Sequence, residues 1–428
     1  MPVLIVLGVA LEICFIALAR APQTPFFSLP FWFSAAALFY LIGVVWVLRA
    51  RPAGRRELRL IFLAAVVFRL TLLPLTPSLS HQLWRFQWDG RIQQAGFNPY
   101  QYAPQNSLFN PIRTAADQAV PAPALAAYHP PLAELLFRWD YGWFGGLRGM
   151  KVAFIVFDLL LMALLIRILR GRGLPPERVL IYAWSPLSVF EIAGNGHMEA
   201  AAGFLALLAL YWAGRRTRLS GIAIAAAAAT QWYAMALLPV VLAAARRRWA
   251  GALGWLAGLA VLVTLPYIWI EQHFGLGIIL QAVHAHSETI GVFNASLFAV
   301  ARAWFGARAA VAIAAAVLAA VIAAAVRRGR DPLRAGFLVL GTLLLVIPEV
   351  QPWYVLWLLP LVALWPEAPW LYFSVAVWLA YALPRHPQLI WLEYVPLFAL
   401  LAWQARRPKG GSRPQCEDES SGPIPTHE

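Results

Sequence analysis

Charge is what this chain has least of. Asp, Glu, Lys and Arg make up 13% of its 428 residues while apolar residues make up 61%, and mean hydropathy is +0.66. Soluble domains carry about 25% charged residues, so this balance excludes them and reads as an all-α polytopic membrane protein. Cysteine is nearly absent as well. Cys14 lies in the first apolar run and Cys416 in the polar tail, so the two make no plausible disulfide and there is no Cys/His metal framework. No metal and no cofactor are expected. The first run, Val3 to Leu18, lacks a basic leader and a small-residue cleavage site, and reads as a retained helix. The net charge of +14 would suggest nucleic acid in a soluble protein. Here most arginines flank apolar runs, which is topology and implies no nucleic-acid partner.

Arginine clusters fall at Arg49 to Arg59, Arg167 to Arg178, Arg215 to Arg218, Arg246 to Arg248, Arg327 to Arg334 and Arg406 to Arg413. The positive-inside rule places all six on the cytoplasmic side. Spans at 3–20, 28–48, 59–77, 150–169, 177–195, 198–213, 250–270, 308–326, 333–348, 353–365, 369–384 and 388–404 satisfy it. That is about twelve helices with both termini inside. Ser220 to Ala245 is apolar but flanked by arginine clusters at both ends, and too short for two crossings. It reads as a re-entrant hairpin turning near Thr230 to Tyr233, with Pro239 in the returning arm. The organisation expected is an additional N-terminal hairpin (1–50), a membrane core (51–404) with an outer loop at 78–149, and a polar cytoplasmic tail (405–428).

That outer loop is dense in Trp, Arg and Asp, and such loops carry chemistry or recognition. The same side receives the turn Gly194 to Glu199, the stretch Glu271 to Ser296, and the turn Pro348 to Tyr354. A one-sided polar face over an apolar bundle, with no visible inverted repeat, suits an enzyme using a lipid-borne substrate better than a transporter. Asp89, in Trp88-Asp-Gly-Arg91, is the leading general base, or else a partner for Arg85 or Arg91. Arg85 and Arg91 can fork a phosphate, or else contact headgroups. Glu134, beyond Tyr128-His129-Pro-Pro, and His197 with Glu199 are alternative acid/base or metal groups, or else helix caps, since a single His beside one carboxylate is a weak metal signal. Arg69 and Asp158 each lie roughly 12 Å deep on consecutive spans and are expected to pair. Glu191 sits near the end of its helix below His197, and Gln231-Trp232-Tyr233 and Gln351-Pro-Trp353-Tyr354 are polar-aromatic clusters. His284, His286 and Glu288 form another polar patch, and Asn294-Ala-Ser296 fits a glycosylation acceptor by pattern alone.

These pieces resemble polyprenyl-phosphate-sugar-dependent membrane glycosyltransferases of the GT-C type, in particular bacterial mannosyltransferase-like members. The resemblance rests on Trp84 to Arg91 with Gly96 to Pro104, Tyr128 to Leu132, Trp184 to Leu187 with Glu191 and Gly196-His197, Phe293 to Leu297, and Pro352 to Trp357. It implies a GT-C-like bundle in the inner membrane of a bacterium, active face outward, whose first large core loop supplies the catalytic acid. It also implies a polyprenyl-phosphate sugar donor and an acceptor that the motifs do not specify. Asp89 would be the base, Arg85, Arg91 and Gln231 would hold the donor phosphate, and Tyr100, His129, Glu134, Glu191, His197, Glu199, Trp232, Gln351, Trp353 and Tyr354 would line the pocket. Gln82, Gln231 and Gln351 stand where such enzymes usually have an acid, a lysine and often a histidine, so Asp89 and the two arginines must compensate. A glycolipid carrier or flippase, or a catalytically silent partner of a transferase, is the alternative.

Overall fold

The computed structural model describes residues 1–20, 28–49, 54–245, 248–268, 276–289 and 291–406. The polar tail with Cys416, and parts of the Arg49 to Arg59, Arg246 to Arg248 and Glu271 to Ser296 segments, lie outside these. The architecture is all-helical. Among the described residues the only β pairing is a single bridge between Phe293 and Glu349.

The chain opens with α1 (Pro2–Arg20), α2 (Ser28–Arg49) and α3 (Arg55–Leu72), with α2 and α3 each packed against α1. On α1, Leu4, Leu7, Leu11, Cys14 and Leu18 are buried at helical spacing, whereas Val6, Val9 and Ile13 are exposed. An apolar outer face is the reverse of a soluble amphipathic helix and suits lipid contact. The loop at 78–149 then folds into α4 (Gln82–Gln94), two short 3₁₀ turns and α5 (Pro131–Phe144). Next comes α6 (Gly146–Gly171), whose 26 residues reach about 39 Å, enough to cross a bilayer core.

The expected span at 177–195 is broken. It consists of a 3₁₀ turn, α7 (Leu180–Ala183), α8 (Pro186–Val189) and a π turn at Phe190–Gly194. Pro186 has no N–H for a continuous ladder, and Val179 to Gly194 is buried throughout among other helices, where a bend is tolerated. Arg69 on α3 pairs here with Asp158 on α6, both fully buried. Arg69 also donates to the carbonyls of Ala65 (3.0 Å) and Ala183 (2.8 Å), and Tyr182 Oη donates to Asp158 (2.6 Å).

From there the chain runs through α9 (Glu199–Trp212), α10 (Thr217–Thr230), α11 (Leu238–Ala244), α12 (Arg248–Ile268) and α13 (Leu276–Thr289). It continues with α14 (Leu297–Phe305), α15 (Ala307–Arg327) and α16 (Pro332–Val346). Helix α10 ends at an extended Gln231, and a 3₁₀ turn at Trp232–Leu237 leads into α11, which carries Pro239 in its first turn. Helices α10 and α12 pack closely because a side chain at Gly221 would meet the Gly251 carbonyl oxygen at 2.6 Å. The last part comprises α17 (Leu359–Val362), α18 (Ala368–Ala376) and α19 (Ile390–Arg406). Expected spans at 353–365 and 369–384 are likewise mixtures of short α and 3₁₀ pieces. Among the described residues four helices are long and apolar enough to cross a membrane: α1, α2, α6 and α15.

Candidate active site

Helix α4 lies flat against α5 because residue 90 is glycine: a Cβ there would overlap the Phe137 main chain. Two of its charged groups, Arg85 and Asp89, turn inward. Asp89 is fully buried, and both its oxygens accept from Arg85 Nε, at 3.0 and 2.8 Å. Arg85 also donates to the Leu125 carbonyl at 3.0 Å and lies over the Tyr128 ring at 5.4 Å. Gln93 Nε2 donates to the Glu134 carboxylate and main-chain oxygen, each at 3.0 Å. The other Glu134 oxygen faces His129 Nδ1 at 3.7 Å, and both atoms are buried without a hydrogen bond.

Burial raises the Asp89 carboxyl although Arg85 opposes it, and burial aided by Asp89 raises Glu134 well above the usual range. Burial first, then Arg85, holds His129 well below an ordinary imidazole. Asp89, His129 and Glu134 bring ligand atoms within 4.8 Å of one another, a spacing a cation can use. Both Asp89 oxygens, however, are already engaged by Arg85.

Above this cluster opens a cavity of about 250 Å³, on the order of eight water volumes and so larger than a single-water pocket. Its walls come from distant segments. The 78–149 loop gives Gln82, Phe86, Tyr128, His129 and Pro130. The turn into α9 gives His197 and Glu199, the break after α10 gives Gln231 and Trp232, and α13 gives His286 and Ser287. The turn after α16 gives Glu349, Trp353 and Tyr354.

Gly196, at φ +77°, makes the sharp turn that delivers His197. That imidazole stacks on Trp353 at 3.9 Å, with Glu191 at 3.5 Å on one side and Glu199 at 3.8 Å on the other. Burial drives the His197 imidazole down to about 3. Gln231 Nε2 donates to Glu199 at 3.1 Å, and Tyr128 stacks on His286 at 3.8 Å while its hydroxyl donates to Gln82 at 3.2 Å. Glu349 is held at the rim by the bridge to Phe293 and accepts from Gln351 Nε2 at 2.5 Å.

Several expected pocket residues, His129, His197, Glu199, Trp232, Trp353 and Tyr354, therefore meet at one cavity, together with Gln231, which was expected to hold the donor phosphate. Others stand behind its wall. Tyr100 donates to the His129 carbonyl at 2.5 Å, Glu134 backs His129, Glu191 backs His197, and Gln351 backs Glu349. Asp89 and Arg85 lie a layer deeper, and Arg91 is elsewhere, paired with Asp117 at 2.6 Å and lying over Trp88. Sequence reasoning passed over Glu349 and Ser287 and left His286 in an unassigned patch. A carboxylate inside a turn crowded with Pro, Gln, Trp and Tyr was the available signal for Glu349. Asn294 is no glycosylation acceptor in this fold, because it is buried and its Nδ2 donates to Glu393 at 2.8 Å.

Fold and site together define a helical membrane protein with a polar, aromatic-walled cavity. The profile of Glycosyltransferase family 87 matches residues 128–348. That is just over half of the 428 residues, and the chain belongs to this family of glycosyltransferases. A search among curated proteins finds no match.

Proposed function

We propose that the cavity transfers a sugar, mannose on the motif resemblance, from a polyprenyl-phosphate donor to an extracytoplasmic acceptor. The setting proposed is the bacterial cytoplasmic membrane, with about twelve spans, a re-entrant hairpin turning at Gln231, and a GT-C-like bundle whose active face points outward. The observation that carries this reading is the convergence of two carboxylates, Glu199 and Glu349, with His197, His129, amides and aromatic faces on one cavity. The acceptor hydroxyl oxygen bonds to the anomeric carbon, its proton passes to a carboxylate, and the anomeric C–O bond breaks with its electrons leaving on the lipid phosphate. A phosphate is already a good leaving group and needs little acid assistance.

We assign the base role to Glu199. Asp89, the base expected from the sequence, does not reach the cavity wall, and Arg85 engages both its oxygens. The Arg85–Asp89 pair instead supports the Tyr128–His129 wall from behind, with the Arg85 guanidinium over the Tyr128 ring. The second reading, a carrier or silent partner, draws on the cavity lining, which among the described residues includes no Arg or Lys.

Transfer from a radiolabelled polyprenyl-phosphate sugar by purified protein tests these assignments. Glu199→Gln should keep the folded yield and lose transfer by about 100-fold or more. Loss confined to Glu349→Gln moves the base to the rim, and loss confined to Asp89→Asn restores the deeper carboxylate. A wild type inactive with every donor supports the second reading.

A further inference from the structure

We propose that the groove between α6 and α9, at the end of α9 remote from the cavity, binds the phosphate of an anionic membrane lipid. The groove encloses about 390 Å³ and is lined by Leu164, Leu208 and Tyr211 with Arg167, Arg215 and Arg216. It stands about 20 Å from Glu199, the length of α9.

The arginines are set apart from others nearby by their lack of counter-charges. Arg172 is paired with Asp331 at 2.6 Å, and Arg334 with Glu367 at 2.7 Å. Among the described residues no carboxylate lies within ion-pair distance of Arg167, Arg215 or Arg216, and all three are exposed. Arg215 and Arg216 share one closed turn, since both their amides donate to the Trp212 carbonyl, at 2.9 and 2.8 Å. The Arg215 guanidinium rests over the Tyr211 ring, 5.3 Å from its centre. Two arginines on a fixed turn and a third on α6 line this one groove, and guanidiniums are planar donor forks whose geometry a phosphate matches.

The groove continues as an apolar track, which selects a lipid over free phosphate. Leu160 and Val156 extend Leu164 along α6 at four-residue spacing and are 44% and 50% exposed, while Phe204 precedes Leu208 on α9 at the same spacing. An acyl chain can lie along this track with its headgroup in the arginine clamp. Basic pockets at the ends of membrane helices hold lipid headgroups in this way.

The test uses full-length, delipidated protein in detergent, with bound phosphatidylglycerol counted by native mass spectrometry against phosphatidylcholine. Wild type should retain phosphatidylglycerol selectively. At about fivefold for each arginine, the triple variant Arg167→Gln/Arg215→Gln/Arg216→Gln should bind it on the order of 100-fold more weakly. The control Arg56→Gln/Arg327→Gln/Arg328→Gln, which removes the same charge from exposed positions elsewhere, should leave binding unchanged. If the clamp triple variant cannot be purified, each single variant should lose about fivefold. Equal loss in clamp and control variants, or no preference for phosphatidylglycerol, would overturn the site. Displacement of the lipid by excess inorganic phosphate would overturn the acyl track.

Discussion

Replacing Gly90 by alanine puts the packing of the site at stake in a way whose sign is diagnostic. In an exposed helix Gly→Ala stabilises by about 1 kcal/mol. At Gly90 the new methyl would overlap the Phe137 carbonyl oxygen, approach the Phe137 carbonyl carbon to 2.8 Å and Tyr141 Cβ to 3.0 Å. The oxygen and carbon belong to the α5 backbone and cannot swing aside as a flexible side chain would, so α4 must move off α5. Overpacking of this kind costs about 1 to 3 kcal/mol. Separation also stretches the two Gln93 hydrogen bonds to Glu134, each a net contribution of about 1 kcal/mol. Against the helix-propensity gain, a net loss of about 2 to 4 kcal/mol follows. Thermal unfolding in detergent should show a lower midpoint for Gly90→Ala, with sugar transfer weakened because α4 carries Gln82 and Phe86 to the cavity. A midpoint equal to or above that of wild type would refute the α4–α5 contact.

Breaking the buried Arg69–Asp158 pair from one side leaves an uncompensated charge and costs about 3 to 5 kcal/mol. The folded yield of Arg69→Leu should therefore lie below that of Arg69→Leu/Asp158→Leu, and a double variant no better than the single would show that the two side chains do not act as a pair. His197 supplies a pH signature. Its folded value, about 3, is depressed below the ordinary 6.5, so its contribution to stability is present above pH 6.5 and is lost as pH falls towards 3. Between pH 7 and pH 5 the stability advantage of wild type over His197→Asn should shrink by about 2 kcal/mol. The raised Asp89 and Glu134 carboxyls run the opposite way but are common to both proteins and cancel. An advantage that does not change with pH in denaturant titrations would mean that the imidazole is not held neutral.

Much of the site was readable because it depends on residue type within a hydrophobic background. A carboxylate, imidazole or amide in a chain with so few charges stands out, and His129, His197, Glu199, Gln231, Trp353 and Tyr354 do share one cavity. Depth along helices was readable too, since a fixed rise per residue brought Arg69 and Asp158 to the same level, where they pair. Which side of a helix a charge faces was harder to read. Asp89 and Arg91 are two residues apart on α4, yet one is buried against Arg85 and the other pairs outward with Asp117. The choice is made by where α5 and the 3₁₀ turns press on α4, which one sequence does not reveal.

By itself, then, the amino-acid sequence determined the class of protein, the helical content, the concentration of chemistry in a few polar turns and the charge pairing at depth. Each of these follows from hydrophobicity and from local geometry repeated along the chain. Only the tertiary structure decided that Glu349 joins Glu199 at the cavity while Asp89 withdraws behind His129, and that the expected spans at 177–195, 353–365 and 369–384 are bent pieces. A segment buried on all sides reads as evenly apolar whether it is straight or broken, and a cavity is made by contacts between turns more than a hundred residues apart, which leave no periodic trace in the sequence.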